Sequence, residues 1–368
     1  MALAVCGGAY AALAAILTRR FMAARPAARA VDPAVSIIKP LHRQTVGLAD
    51  ALDSFCAQNY PGAVQILCGV QDGDDPAAAV VSALKARRAD LDIALISDPL
   101  VHGANRKVSN LIHLAAAARH AILVLSDADI VVKTHYLRTI VDTLSQTGVG
   151  AVSCLYVGAA RAGPWSRLAA MAITYHFMAN AIVGNSLGLA TPCFGSTIAL
   201  TRETLNRIGG FEAFNNQLAD DYEIGRAIRG LGLTVDLPPM TVAHQCHEAT
   251  ARELIGHEIR WSRTVRLIDP VGYAGSVVTH GFALSLVAGA LLGYSPTALA
   301  LIFAILGVRI AAKFVIDSAV GARGGPWWLL PARDVLSFGV FIASFAGSSV
   351  DWQGRRYRVD RDGVLTSL

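Results

Sequence analysis

Residues 2–17 (ALAVCGGAYAALAAIL) carry no charged side chain, and Arg19, Arg20, Arg25 and Arg29 follow soon after. Three more apolar stretches, 274–293, 297–312 and 335–350, lie towards the other end of the chain. One water-soluble core cannot hide apolar runs at both ends of a mixed-polarity middle, so these runs predict membrane segments. Composition agrees. Only 16% of the residues are Asp, Glu, Lys or Arg, against roughly 25% in a soluble protein. A secretory leader carries its positive charge before the apolar core; here the charge comes after it, which predicts an anchor. The positive-inside rule then puts the N-terminus outside and the following residues in the cytoplasm. We therefore expect a transmembrane anchor at 1–20, membrane segments within 274–350 and a basic tail at 351–368, in a multi-pass protein of the cytoplasmic (inner) membrane. Runs 274–293 and 297–312 are joined by an uncharged YSP turn and predict a hairpin. The run 335–350 would be about 24 Å long as a helix, so spanning and lying in the interface both stay open, and with them the side on which the tail ends.

The net charge of +5 comes largely from arginines near the ends of apolar runs. No aromatic–basic array accompanies it. That pattern argues against nucleic acid and for an anionic lipid surface or phosphate-bearing substrates. The six cysteines are scattered, form no C-x-x-C pair, and mostly have apolar neighbours. They predict reduced, buried thiols in a cytosol-facing protein.

Residues 33–268 predict a globular cytosolic domain. VSIIKP, VQILCGVQD, DIALIS and AILVLSDADI read as strands, separated by the helical stretches GLADALDSFCAQNY, DPAAAVVSALKARRA and KVSNLIHLAAAARH. Alternating strands and helices predict an α/β fold with a mostly parallel sheet covered on both faces. Ligands of such sheets gather at the carboxyl ends of the strands. Lys39-Pro40, the acids 72–75, and Asp127 with Asp129 all fall at such ends. Residues 166–190 are apolar but interrupted by polar groups, which suits a buried or interfacial helix. STIALTRETLNRIGGF reads as a strand and a helix, and DDYEIGRAIRGLG and ARELIGHEIRWSRTVRLI as helices. Arg252, Arg263 and Arg266 on the last are expected to snorkel at a membrane surface.

Two aspartates one residue apart at the end of a buried strand place their side chains on one face. Magnesium and manganese take one or two protein carboxylates and complete their shells with substrate phosphates. Asp127 and Asp129 are thus candidate ligands of a metal–diphosphate site, the alternative being a pair of turn or N-cap aspartates. Lys107 precedes that strand. Asp220 and Asp221 open a helix, whose N-terminus favours the ionised carboxylate. His257, Arg260 and Trp261 share a helix face, a cation beside a flat aromatic, suited to phosphate and a sugar ring. His244 and His247 read as structural.

Taken together, VSIIKPL, YP, ILCGVQDGDDPA, NRKVSNL, SDADI, GGF, LADDYEIG and RW resemble inverting glycosyltransferases of the large family-2 type. The closer resemblance is to the ceramide glucosyltransferase branch, including bacterial hopanoid-associated glycosyltransferases. It implies the GT-A nucleotide-sugar fold across residues 1–355, with an N-terminal anchor and C-terminal membrane helices. It further implies Asp72 on the uracil or ribose of a UDP-sugar donor, Lys107 on the donor, and Asp127 and Asp129 on ribose and a divalent metal, Mg²⁺ or Mn²⁺. By the same resemblance Asp221 is the general base, and Arg260 with Trp261 completes a (Q/R)-x-x-R-W motif for the diphosphate and acceptor. This chain departs from the motif at His257, which leaves that residue's role open as an acceptor contact or a subgroup mark.

The chemistry fits those residue types. Displacing a nucleoside diphosphate from an anomeric carbon builds positive charge on the sugar and negative charge on the leaving group. The attacking hydroxyl must give up a proton, which calls for a carboxylate base. Single displacement inverts the anomeric centre. The expected reaction is transfer of a hexose or N-acetylhexosamine from a UDP-sugar to a lipid hydroxyl, ceramide-like or hopanoid. The alternatives are a polyprenyl-phosphate glycosyltransferase and a non-catalytic nucleotide-sugar-binding scaffold.

Overall fold

The computed structural model describes residues 1–25, 32–43, 46–347, 349–352, 355–359 and 363–367. Arg29 and Arg361 lie outside them. The chain begins with α1 (Ala2–Ala23), β1 (Val35–Pro40), α2 (Leu48–Cys56), β2 (Val64–Val70), α3 (Pro76–Arg87) and β3 (Asp92–Ser97). Next come α4 (Arg106–Ala117), β4 (Ile122–Leu125), β5 (Ile130–Val131), α5 (Tyr136–Leu144), β6 (Val149–Ser153) and β7 (Leu155–Ala160). A helical stretch follows: α6 (Pro164–Ala172), a π turn (Ile173–Phe177) and α7 (Met178–Ser186). Then come β8 (Ile198–Thr201), α8 (Arg202–Arg207), α9 (Asp220–Gly230), β9 (Thr234–Asp236) and β10 (Thr241–Cys246). The remaining helices are α10 (Ala251–Ile268), α11 (Pro270–Gly275), a 3-10 turn (Ser276–His280), α12 (Gly281–Leu291), α13 (Pro296–Val320) and α14 (Leu330–Ser344). Three short strands, β11 (Ser349–Trp352), β12 (Arg355–Val359) and β13 (Leu365–Ser367), close the chain as an antiparallel meander.

The fold divides into two compact units that do not follow chain order. The first comprises Arg25–Tyr156 and Thr191–Gln245. Its sheet runs β3-β2-β1-β4-β8-β6-β9. β1, β2, β3 and β4 are mutually parallel, as the alternation of strands and helices predicts. β8 lies antiparallel between β4 and β6, so the sheet is mixed rather than wholly parallel. Every residue of β1 and β4 is buried. Such fully buried strands need cover on both faces, and Val108, Leu111, Leu114, Ile224 and Ile228 pack against one of them. Helix starts are set by caps. Asp75 accepts the Ala77 amide at 2.9 Å with Pro76 at the first helical position, and Asn105 accepts the Val108 amide at 3.0 Å. β5 pairs antiparallel with β10 through Ile130–His244 and Val131–Ala243.

The second unit comprises Met1–Ala24, Val157–Ala190 and Cys246–Leu368. Three of its helical stretches are long and apolar enough to cross a membrane: Ala2–Ala23, Pro270–Leu291 and Pro296–Val320. Helix α14 spans 15 residues, about 22 Å, well short of a ~30 Å hydrocarbon core. Ala4 packs with Phe282, Ile302 and Ile305. A Cβ on Gly7 would lie 2.3 Å from the Gly281 Cα, so backbones touch where the two glycines meet. Arg263 donates to the Ala346 carbonyl and Arg266 to the Gly347 carbonyl at 2.8 Å. These two arginines therefore hold the turn after α14. Five cysteines are buried and free, whereas Cys6 on α1 is exposed, against the expectation of buried thiols throughout.

Candidate active site

The candidate site grows from the ends of β1 and β4. Lys39 is the penultimate residue of β1, fully buried, and donates to the Asp127 carbonyl at 2.6 Å. Its Nζ also lies 3.4 Å from the Ser126 hydroxyl and 4.0 Å from the centre of the Phe55 ring. Burial lowers the Lys39 ammonium to about 8, against the opposing pull of Asp129 and Asp127. Lys39 thus props the backbone of the aspartate turn from below.

Lys107 sits in the first turn of α4. Its Nζ is 2.9 Å from Asp127 Oδ1 and 3.2 Å from Asp220 Oδ2. Burial works against this charge, but Asp127, Asp220 and Asp221 outweigh it and hold the ammonium above its ordinary value. Burial also raises the Asp127 carboxyl, with Lys107 opposing. Asn105, the cap of α4, donates to the Gln217 carbonyl at 2.8 Å and lies 3.4 Å from Asp220 Oδ1. One short segment therefore fastens α4 to the start of α9.

Gly195 joins the two acidic motifs. Its carbonyl accepts the Asp127 amide at 3.2 Å, and its own amide donates to Asp221 Oδ2 at 2.9 Å. A Cβ here would lie 2.8 Å from Asp127 Oδ2 and 2.9 Å from Lys107 Nζ, so no larger residue fits without displacing the ion pair. Asp221 Oδ1 accepts the Tyr222 amide at 2.8 Å. Burial, then the neighbouring Asp220 carboxylate, raise Asp221 to about 6. The helix N-terminus favours the ionised form, but burial and a like charge outweigh it and make this acid a better proton acceptor near neutrality.

Asp129 has 31% of its side chain exposed, and its Oδ2 lies 3.7 Å from His244 Nε2. Among the described residues no group of three or more His, Cys, Asp or Glu could hold a metal. A carboxylate beside an imidazole nonetheless fits an ion that takes its remaining ligands from a diphosphate and water. Asp127 already gives Oδ1 to Lys107. Asp72 follows β2 and is exposed, and its carboxylate accepts the Asp74 amide at 3.0 Å.

The structure thus gathers Lys107, Asp127 and Asp221 in one cluster, with Asp129 two residues on from it and Asp72 at a neighbouring strand end. His257, Arg260 and Trp261 lie on α10, in the other unit. There His257 Nδ1 is 2.6 Å from Glu248 Oε1, and its ring stands edge-on to Trp261 at 4.4 Å. Burial lowers the Arg260 guanidinium from its ordinary value. Sequence reasoning missed Gly195 and assigned His244 a structural role. A lysine inside the buried run VSIIKP was a visible signal for Lys39; Gly195 had none, because its role depends on what approaches it.

The profile of glycosyl transferase family 21 matches residues 1–365. Ceramide glucosyltransferase 1 of Caenorhabditis elegans is 21% identical over 353 residues, which is 90% of this chain and 73% of that protein. Ceramide glucosyltransferase 3 of the same organism is 22% identical over 230 residues, 62% of this chain and 50% of that protein. Among solved structures, a mannosyltransferase from Pyrobaculum calidifontis in complex with GDP-Man and Mn²⁺ is 20% identical. It covers 94% of this chain and 98% of its own, with a TM-score of 0.54, and that likeness is one of fold, the GT-A fold. The chain is a glycosyltransferase and belongs to glycosyl transferase family 21.

Proposed function

We propose that the chain is a membrane-bound, inverting enzyme that transfers a hexose or N-acetylhexosamine from a UDP-sugar to a hydroxyl of a membrane lipid, ceramide-like or hopanoid. The observation that carries this reading is the Gly195 bridge, which sets a donor-type aspartate, Asp127, against a base-type aspartate, Asp221. Lys107 fixes Asp127 and Asp220 and so holds the acidic motifs in register. Asp221 takes the proton of the attacking hydroxyl. Its carboxyl, raised to about 6, is mostly ionised at neutral pH yet basic enough to accept that proton. Asp72 and Asp127 serve the nucleoside, as the family motif implies. Asp129, with Asp127 and His244, would hold a divalent ion, Mg²⁺ or Mn²⁺, which when bound offsets negative charge on the departing diphosphate.

Membrane placement follows from the three candidate spans. With the N-terminus outside, Ala2–Ala23 delivers the catalytic unit to the cytoplasm. Pro270–Leu291 and Pro296–Val320 cross out and back. Helix α14, too short to span, lies at the surface, and the basic tail stays cytoplasmic, in keeping with the positive-inside rule.

The test is calorimetric titration of the purified protein with UDP, with and without Mn²⁺, beside turnover of a panel of UDP-sugars with a total lipid extract read by mass spectrometry. Metal-dependent UDP binding and a new β-linked glycolipid are the expected results. Binding without any transfer would favour a scaffold, and Asp221→Asn with intact turnover would favour a phosphate acceptor that needs no base.

A further inference from the structure

Asp221 is held from two directions. On one side Gly195, tied to the Asp127 amide, donates to its Oδ2 at 2.9 Å. On the other, the residues just before α9 are gripped by the stretch 102–105, which leads into α4. The His102 carbonyl accepts from the Asn215 side chain at 2.9 Å, and the Ala104 amide donates to Asn216 Oδ1 at 2.9 Å. The Asn105 amide donates to the Asn215 carbonyl at 2.8 Å, and its side chain to the Gln217 carbonyl at 2.8 Å. A Cβ on Gly103 would lie 2.4 Å from the Asn215 carbonyl oxygen, so the two stretches touch backbone to backbone. This strap fixes where α9 starts, provided the strap is itself fixed.

Two contacts with α4 fix it. The His102 amide donates to the Ser109 hydroxyl at 3.0 Å, and the His102 ring meets the His113 ring, Nε2 to Nε2, at 2.9 Å. The rings stand edge to face with centroids 5.0 Å apart. Among the described residues neither ring has another hydrogen-bond partner. The His113 side chain is 10% exposed, so water has little access to compete for the bond. A neutral imidazole carries one donor and one acceptor, so this bond needs a proton on one Nε2 and none on the other. Asp98, just after β3, places Oδ2 3.8 Å from His113 Nδ1. A carboxylate on that side favours the Nδ1–H tautomer of His113. His113 Nε2 is then the acceptor and His102 Nε2–H the donor.

We propose that His102 and His113 are a positioning pair for the transfer reaction: their ring-to-ring bond latches the strap to α4 and so sets the place of Asp221. The inference rests on Asp221 being the base and extends that reading to two residues outside the acidic motifs. Opening the latch leaves Asp127 and Lys107 on their own elements, so the donor side keeps its place while the start of α9 drifts. A shift of about 1 Å at a reacting group can cost about 10²-fold in rate.

The test uses the full-length protein, UDP with Mn²⁺ as the binding probe, and the UDP-sugar and lipid extract that the wild type turns over. Calorimetric stoichiometry counts the UDP-binding sites, and kcat is expressed per site, so unfolded molecules do not enter it. His102→Phe and His113→Phe should lower this kcat about tenfold or more. The Kd for UDP should stay within about threefold of wild type. His113→Gln, whose amide oxygen reaches the place of Nε2, should keep kcat within about threefold. His113→Asn, too short to reach His102, should fall as the Phe variant does. The double Phe variant should fall no further than either single one, because the same bond is lost in all three. Unchanged kcat per site in the Phe and Asn variants would overturn the inference, as would losses that multiply in the double variant. A loss confined to the number of UDP-binding sites would also overturn it, since that marks a merely structural pair. Asp221→Asn with wild-type turnover would instead overturn the base reading on which the inference rests.

Discussion

Asp221→Asn removes a charge that the folded protein holds at a disadvantage. Burial, then Asp220, raise this carboxyl from 3.8 to about 6. A folded pKa above the unfolded one means that the ionised group opposes folding. Its stabilising share is complete below the unfolded pKa and is lost as pH rises through about 6. At 1.36 kcal/mol per unit, a shift of roughly 2 units is worth about 3 kcal/mol at most. Partial exposure reduces that to about 2 kcal/mol through solvent screening. Against it, an amide nitrogen in place of one oxygen loses one of the bonds from the Gly195 and Tyr222 amides, about 1 kcal/mol. The variant should therefore be about 1 kcal/mol more stable than wild type at pH 7.5 and about as stable as wild type at pH 5, where roughly half of the penalty persists because the unfolded carboxyl is still ionised. Amide exchange in peptides spanning 191–230, compared between variant and wild type at each pH, reads this locally. The ratio of rates should change by about fivefold between the two conditions. Turnover of the variant should fall by about 10²–10⁴-fold, while UDP binding persists. In the wild type kcat should fall about tenfold per pH unit below about 6 and flatten above it. An exchange ratio that is the same at both pH values would refute the charge argument, and turnover within tenfold of wild type would remove Asp221 as the base.

Gly195→Ala should place a Cβ between Asp127 and Lys107, destabilise by about 1–3 kcal/mol and weaken UDP binding at least about tenfold by calorimetry. Lys107→Met leaves Asp220 buried and Asp127 part-exposed without their cation; a loss of about 2–3 kcal/mol, below the fully buried range because solvent screens Asp127, should appear as a lowered thermal midpoint by circular dichroism. His244→Ala should raise the Mn²⁺ concentration needed for half-maximal turnover of chelator-treated enzyme, with excess Mn²⁺ restoring the rate; an unchanged requirement would remove His244 from the metal. A green fluorescent protein fused after residue 368 should fluoresce in a bacterial host and an alkaline phosphatase fusion should be inactive, as the proposed topology requires.

The parts of this protein set by local pattern were legible in the sequence. Strands β1 to β4 announced themselves as short apolar runs, and the caps Asp75 and Asn105 stand where acid-Pro and Asn-Arg steps mark helix starts. The spaced acids also identified the family. The antiparallel insertion of β8 was not legible, because strand direction depends on where the chain returns rather than on the residues of the strand. Gly195 escaped for the same reason: only the approach of Asp127, Lys107 and Asp221, from distant segments, makes the missing side chain necessary. The raised carboxyl of Asp221 was not legible, because a helix start is visible in sequence, whereas the depth of burial and the geometry of Asp220 are not. His244 gained meaning only once β10 paired with β5 and brought it beside Asp129.

The meeting of Gly7 and Gly281 carries a practical consequence. Backbones that approach this closely, with Ala4 seated against Phe282, Ile302 and Ile305, make the first helix a wall of its unit rather than a leash. Cutting away the first two dozen residues to obtain a detergent-free version would leave an open apolar trench where that wall had stood. Soluble variants are better sought by recolouring the outward-facing residues of the helix, such as Leu3, Val5 and Ile16, than by amputation.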